Sequence, residues 1–292
     1  MLHRGAVATV VALVVALLGA SAATAVSRDD LVGKPALGQP DRPELPRRAA
    51  SPLAGRVIVI DPGHQLGNRH FPRRINRPVP AGGFTKPCNT TGTATNGGYP
   101  EATFVWQVAR LVAARLRELR ATVRLTRHGN RQDRWGPCVD ARGRAGNALG
   151  ADLKLSVHAD GSYAAGARGF HVITPPDRAP WTADIHRPSR RLATSVKAGL
   201  LAQRFGVATY TAGGDGIDVR SDLATLNLSD VPTVMVELGN MRSAAEARVM
   251  TSPAGRARYA RGARLRGAPL PGLTPCRQFG RGSARLCVAD AA

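Results

Sequence analysis

Aromatic side chains make up only 4% of the 292 residues, too few to build the stacking platform on which proteins lay unpaired bases. No DNA- or RNA-binding motif accompanies the basic residues, so nucleic acid is not an expected partner. Lysine is scarce, confined to Lys34, Lys86, Lys154 and Lys197; arginine supplies the rest of a formal charge of +21. No pair of cysteines has the C-x-x-C spacing of a zinc ribbon or a redox site. No internal repeat is visible, which argues against a solenoid. Past the first two dozen residues, no stretch is apolar enough to cross a bilayer, which takes about 20 such residues.

The N-terminus reads as an export signal. Met1 to Arg4 carry a positive charge, Ala6 to Gly19 form an uncharged apolar run, and Ala23-Thr24-Ala25 has the small-x-small form of a cleavage site. Residues 1–25 are therefore expected to be removed, leaving a secreted or wall-associated chain of charge +20, since the signal carries only Arg4. An uncleaved N-terminal anchor is the alternative. Export into an oxidising compartment favours disulfides for Cys88, Cys138, Cys276 and Cys287. The expected pairs are Cys88 with Cys138 and Cys276 with Cys287, the second closing a short loop in a weak tail. The arginine excess fits attraction to an anionic polymer such as a bacterial wall, or merely a biased base composition.

Residues 26–52 are rich in proline and charge and lack periodicity, as a flexible leader does. The folded domain is placed at 53–270 and a cysteine-stapled tail at 271–292. Val57-Ile58-Val59-Ile60 reads as a buried strand ending on the turn Asp61-Pro62-Gly63. The stretch between His64 and Tyr99 is too long for an ordinary connection, and is either disordered or an insert beside a site. A helix is expected from Glu101, with Phe104, Val105, Val108, Leu111, Val112, Leu116 and Leu119 inward. Strands follow at 122–126, 153–157, 169–173 and 233–237. Helices are expected at 140–149, at 189–205 with Leu192, Val196, Leu200 and Leu201 inward, and at 244–264 with a break at Ser252-Pro253. This alternation predicts an α/β fold, a mostly parallel twisted sheet of about six strands with helices on both faces.

In such a sheet, ligands bind beyond the carboxyl ends of the strands. His64, His158 and Glu237 fall at or just past strand ends, and Glu101 opens the helix leaving that edge. Two imidazoles and a carboxylate are the donor set of a mononuclear zinc hydrolase, and a further carboxylate can carry protons. Each residue has an ordinary reading too. His64 could cap a turn, Glu101 could answer the helix dipole, and His158 could be a satisfied core histidine. Glu237 would be costly to bury without a task. His70, His128, His171 and His186 read as surface or core residues. Arg127, Arg142 and Asn147 read as loop-positioning groups, and Asp61 as a group that orients His64.

From Val57 to about Leu270 the sequence resembles the zinc-dependent N-acetylmuramoyl-L-alanine amidases of the amidase-3 type, nearest their compact secreted actinobacterial branch. The resemblance runs through Ile58-Val59-Ile60-Asp61-Pro62-Gly63-His64, Glu101, Thr126-Arg127, Arg142 with Ala145-Gly146-Asn147, Ser156-Val157-His158-Ala159, Gly169-Phe170 and Val236-Glu237-Leu238-Gly239-Asn240. It implies that His64, Glu101 and His158 hold one zinc ion, that Glu237 is the catalytic carboxylate, and that the substrate is peptidoglycan or muropeptides cut between muramic acid and L-alanine. A monomer is expected. Asp160 stands where many family members carry asparagine. A secreted zinc peptidase acting on stem peptides and a non-catalytic peptidoglycan-binding protein are the competing readings.

Overall fold

The computed structural model describes residue 51 and residues 53–263 apart from 212. In chain order the elements are β1 (Val57–Pro62), α1 (Pro72–Ile75), β2 (Pro78–Pro80), β3 (Thr85–Pro87), α2 (Glu101–Glu118), β4 (Thr122–Leu125), α3 (Val139–Arg144), β5 (Leu153–Asp160), β6 (His171–Thr174), α4 (His186–Ala202), β7 (Ile217–Val219), α5 (Ala224–Asn227), β8 (Thr233–Asn240), α6 (Ala244–Thr251) and α7 (Pro253–Gly262). Six strands form one sheet in the order β4-β1-β5-β8-β6-β7; β2 and β3 form a separate hairpin. All sheet pairs are parallel except β6 with β8.

The two faces of the sheet differ in chemistry, as period-2 alternation requires. Ile58, Ile60, Leu155, Val157 and Val236 meet Phe104, Val105, Val108 and Val112 of α2, Leu192 and Val196 of α4, and Tyr259 of α7 in the main core. Each such fully buried aliphatic or aromatic side chain contributes roughly 1.5–3 kcal/mol. The opposite face carries polar groups near its centre: Asp61, Lys154 and Ser156 are all fully buried. Lys154 Nζ donates to the carbonyls of Arg142, at 3.1 Å, and Gly143. The cation thus sits at the carbonyl end of α3, where the helix dipole favours it. Burial still pulls its pKa down to about 8.

The α/β expectation holds, with several local corrections. Leu111 and Leu201 are 41% and 45% exposed, because the apolar stripe of each helix is narrower than the run of leucines implies. The helix expected over 140–149 stops at Arg144; Gly146 takes a left-handed φ of 105° and only a 3₁₀ turn, Asn147–Leu149, follows. β5 and β8 run to Asp160 and Asn240, so His158 and Glu237 lie within strands rather than past their ends. β7 and α5, short elements with no periodicity, were not expected. Ser252 does cap a new helix, its Oγ accepting from the Gly255 N–H at 3.0 Å with Pro253 in the first turn.

The stretch from 65 to 100 is ordered. It holds α1 and the hairpin, and Cys88 is bonded to Cys138. The expected Cys276–Cys287 pair, the tail, the signal segment and nearly all of the leader lie outside the described residues. No helix among the described residues is long and apolar enough to cross a membrane.

The Cys88–Cys138 bond spans 50 residues of sequence, and for a loop of that size the chain-entropy account gives a stabilisation of about 4 kcal/mol. The double variant Cys88→Ser/Cys138→Ser should therefore unfold at clearly lower urea than the parent. An unchanged midpoint would show that the insert is held by its packing alone.

Candidate metal centre

The end of β1 is organised by a buried ion pair. Arg142 Nη1 of α3 donates to Asp61 Oδ1 at 2.6 Å, and both side chains are almost completely buried. The hydroxyls of Thr126 and Ser156 donate to the same carboxylate. Burial alone would raise the Asp61 pKa, but the Arg142 guanidinium and the two hydroxyls hold it well below the usual carboxylate range. Arg142 also donates to the carbonyls of Pro62 and His64, each at 2.7 Å. Arg127 donates to Pro62, Gly63 and Ala102 carbonyls at 3.0, 3.2 and 2.8 Å. Three successive carbonyls at the strand end are thus fixed by two guanidinium groups.

This clamp allows an unusual backbone. His64 has a φ of 54°, in the left-handed region that a residue with a Cβ rarely occupies. Gly63 precedes it under a close approach: a Cβ there would lie 2.3 Å from the His158 ring. The expected link from Asp61 to His64 runs through Arg142: Asp61 holds Arg142, and Arg142 holds the His64 carbonyl.

His64, Glu101 and His158 come together. Glu101 Oε1 lies 3.1 Å from His64 Nε2 and 3.1 Å from His158 Nδ1, and one donor atom from each residue lies within 4.8 Å of the others. They are the only such group among the described residues. His64 and Glu101 are held from behind. His64 Nδ1 faces the Thr90 carbonyl at 3.1 Å, which makes it the protonated nitrogen and leaves Nε2 its lone pair. Glu101 accepts from the backbone N–H of Thr93 and Ala159. Burial would raise the Glu101 pKa, but the two histidines hold it low, whereas burial lowers that of His158. Two imidazole nitrogens and an ionised carboxylate converging on one point are the donor set of a divalent cation, so these residues fit zinc.

Glu237 stands beside them. In the register of the sheet it is the direct neighbour of His158 on β5 and of His171 on β6, so all three side chains leave the same face. Its Oε2 is buried without a hydrogen-bond partner. Burial, with Glu101 and Asp160 adding their charge, pushes its pKa well up, against a smaller opposing effect of Arg220. His64, Glu101, His158, Asp160 and Glu237 line one cavity of about 330 Å3. The insert supplies a wall of it through Lys86, Asn89, Thr90, Gly92 and Thr93.

His171, read from the sequence as a surface or core residue, is buried in β6 and paired in register with Glu237, its ring 6.0 Å from that of Tyr210. Antiparallel pairing of β6 put it there, and no residue pattern announces that pairing. His70 and His128 are exposed and His186 is half-buried beside Asp177. Asn147 joins loops, donating to the Leu228 carbonyl and accepting from the Asp230 N–H. Asp160 accepts from the Gly161 N–H at 2.7 Å.

A family model described as N-acetylmuramoyl-L-alanine amidase, amidase-3 type, matches residues 58–264. The chain is 43% identical over 222 residues to the N-acetylmuramoyl-L-alanine amidase Rv3717 of Mycobacterium tuberculosis, covering 75% of this chain and 88% of that one. Among solved structures, the N-acetylmuramyl-L-alanine amidase Ami1 of Mycobacterium abscessus, in its apo form, superposes with a TM-score of 0.66 at 42% identity, over 72% of this chain and 96% of that one. Ami1 of Mycobacterium smegmatis gives 0.67 at 38%, over 74% and 95%.

Arg142→Leu would strand Asp61 and is expected to lose roughly 3–5 kcal/mol at neutral pH, the usual cost of removing one partner of a buried pair. Because the folded pKa of Asp61 is depressed, its contribution is complete above about pH 4 and is lost as the pH falls toward the folded value. Urea unfolding between neutral and acid pH should show Asp61→Asn with a flatter acid limb than the parent. Parallel limbs would remove Asp61 from that role.

Proposed function

The chain belongs to the amidase-3 family of N-acetylmuramoyl-L-alanine amidases, enzymes of peptidoglycan, and from that premise we propose that His64, Glu101 and His158 hold one zinc ion and Glu237 carries the protons of the reaction. The observation that supports the ligand set is the convergence of two imidazole nitrogens on one ionised carboxylate at 3.1 Å each. Zinc in that position would polarise the amide carbonyl and make water a competent nucleophile near neutral pH.

The protein's own groups do the rest. Glu237, with its proton affinity raised and one oxygen free of any partner, takes a proton from the attacking water and returns it to the alanine nitrogen as that leaves. A carboxylate of ordinary pKa would be too weak a base to take that proton from water. Glu101 does not compete for this task, because the histidines keep it ionised. The insert and Leu223, Ala224 and Thr225 line the same cavity as these groups.

The rest of the chain is read in the same light. Residues 1–25 act as an export signal and 26–52 as a leader, placing the catalytic unit of 53–270 outside the cytoplasm, where a muramoyl substrate is found. The arginine-rich surface favours association with the anionic wall.

Mass spectrometry of products from a muramoyl peptide tests the reading. The zinc-loaded protein should release a peptide beginning with L-alanine. Glu237→Ala should bind zinc normally and lose roughly a hundredfold to ten-thousandfold in rate, while His64→Ala and His158→Ala should lose the metal as well. Cuts within the stem peptide would point to a peptidase instead.

A further inference from the structure

A second hollow, also of about 330 Å3, is lined by Tyr163, Arg168, Asn240, Arg242 and Ser243 among others. One loop contributes to both cavities. The loop leaving β5 gives Asp160 and Gly161 to the catalytic cavity and Ser162 to Arg168 to this one. Asn240 fixes that loop by donating to the carbonyls of Ser162 and Ala167, both at 2.8 Å. Along β8, Glu237 lines the first cavity and Asn240 the second, three residues or about 10 Å further on.

No carboxylate lines this hollow, whereas two arginines do. Glu246 lies behind it with its oxygens taken up by the backbone N–H groups of Gly169 and Asn240. Arg242 is placed rather than loose. Its guanidinium stacks on the Tyr163 ring at 4.6 Å, and one end donates to Asn96 Oδ1 at 3.2 Å. Its Nε is buried and has no partner. Arg242 also forms the ridge to a third hollow that contains Arg248 and again no carboxylate. A guanidinium held over a ring, in a hollow that a second arginine lines and no carboxylate does, is a preorganised receptor for a carboxylate.

Resting on the amidase reading, we propose that the hollow framed by Arg168 and Arg242 binds a carboxylate of the stem peptide two or three residues beyond the amide that is cut. An extended peptide rises about 3.3 Å per residue, so two or three residues span the interval from Glu237 to Asn240. The enzyme therefore prefers stems whose side-chain or α-carboxylates are free over stems in which they are amidated.

The test compares a muramoyl tripeptide with free carboxylates against the same compound fully amidated. The parent enzyme should cut the acid form with a kcat/KM about tenfold higher, the scale of one charge-assisted hydrogen bond. Arg242→Gln and Arg168→Gln should erase that preference by slowing the acid form alone, while Arg110→Gln on the outer side of α2 should leave it intact. Equal losses on both substrates, or the same effect from Arg110→Gln, would overturn the proposal. Calorimetric titration of both tripeptides into the Glu237→Gln protein reads the hollow apart from turnover. A preference seen there without cleavage by the parent would fell the amidase reading and keep the hollow; equal affinities would fell the hollow whatever the parent cuts.

Discussion

The ion pair between Asp61 and Arg142 holds the architecture of the site together. It is buried, its carboxylate accepts two further hydroxyl donors, and its guanidinium reaches past the carboxylate to the carbonyls of Pro62 and His64. A bare arginine in that position would carry an uncompensated charge, and a bare aspartate would be protonated by its surroundings. Together they let a strand end in a left-handed histidine whose ring nitrogen faces the cavity. Arg127 completes the arrangement from the side of α2 by joining the Gly63 carbonyl to that of Ala102, which couples the strand bearing His64 to the helix bearing Glu101.

The sheet divides labour between its faces. One is an apolar bed for α2, α4 and α7 and supplies most of the stabilising burial. The other carries Asp61, Lys154, Ser156, His158 and Glu237, each requiring a partner or a use. Lys154 finds its partners at the end of α3, and so ties to the sheet the same helix whose Arg142 clamps His64. Polar burial is thus concentrated on one face, close to the cavity, where it positions groups instead of diluting the core.

Within the cavity, the charges are arranged so that two carboxylates a few residues apart in space behave oppositely. Glu101 is surrounded by imidazole and backbone N–H donors and stays ionised. Glu237 has a buried, unpartnered oxygen and two acidic neighbours, and holds its proton more tightly. The difference comes from their neighbours, since the residue type is the same. Glu101 keeps its negative charge, and Glu237 keeps its proton to higher pH.

Much of this was legible in the residues. The β-branched run 57–60, the helical stripe from Phe104 to Leu116, the Ser252-Pro253 restart and the placement of His64, Glu101 and His158 near one sheet edge follow from local periodicity, capping chemistry and the rule for open α/β sheets. The Cys88–Cys138 pairing was expected as well. Other features depend on contacts between residues far apart in the chain. The partner of Asp61 lies 81 positions away, so the route by which Asp61 reaches His64, through the guanidinium of Arg142, is not written in the local sequence. β6 turns antiparallel against β8 and sets His171 beside Glu237, and neither strand records that choice in its composition. The hollow of Arg168 and Arg242 exists only because two loops from separate strands meet. Sequence by itself determined the elements and the inventory of chemical groups, because propensity, periodicity and capping act over a few neighbouring residues. Tertiary structure decided which groups share a face, a charge or a cavity, because burial and Coulomb interactions depend on distance in space.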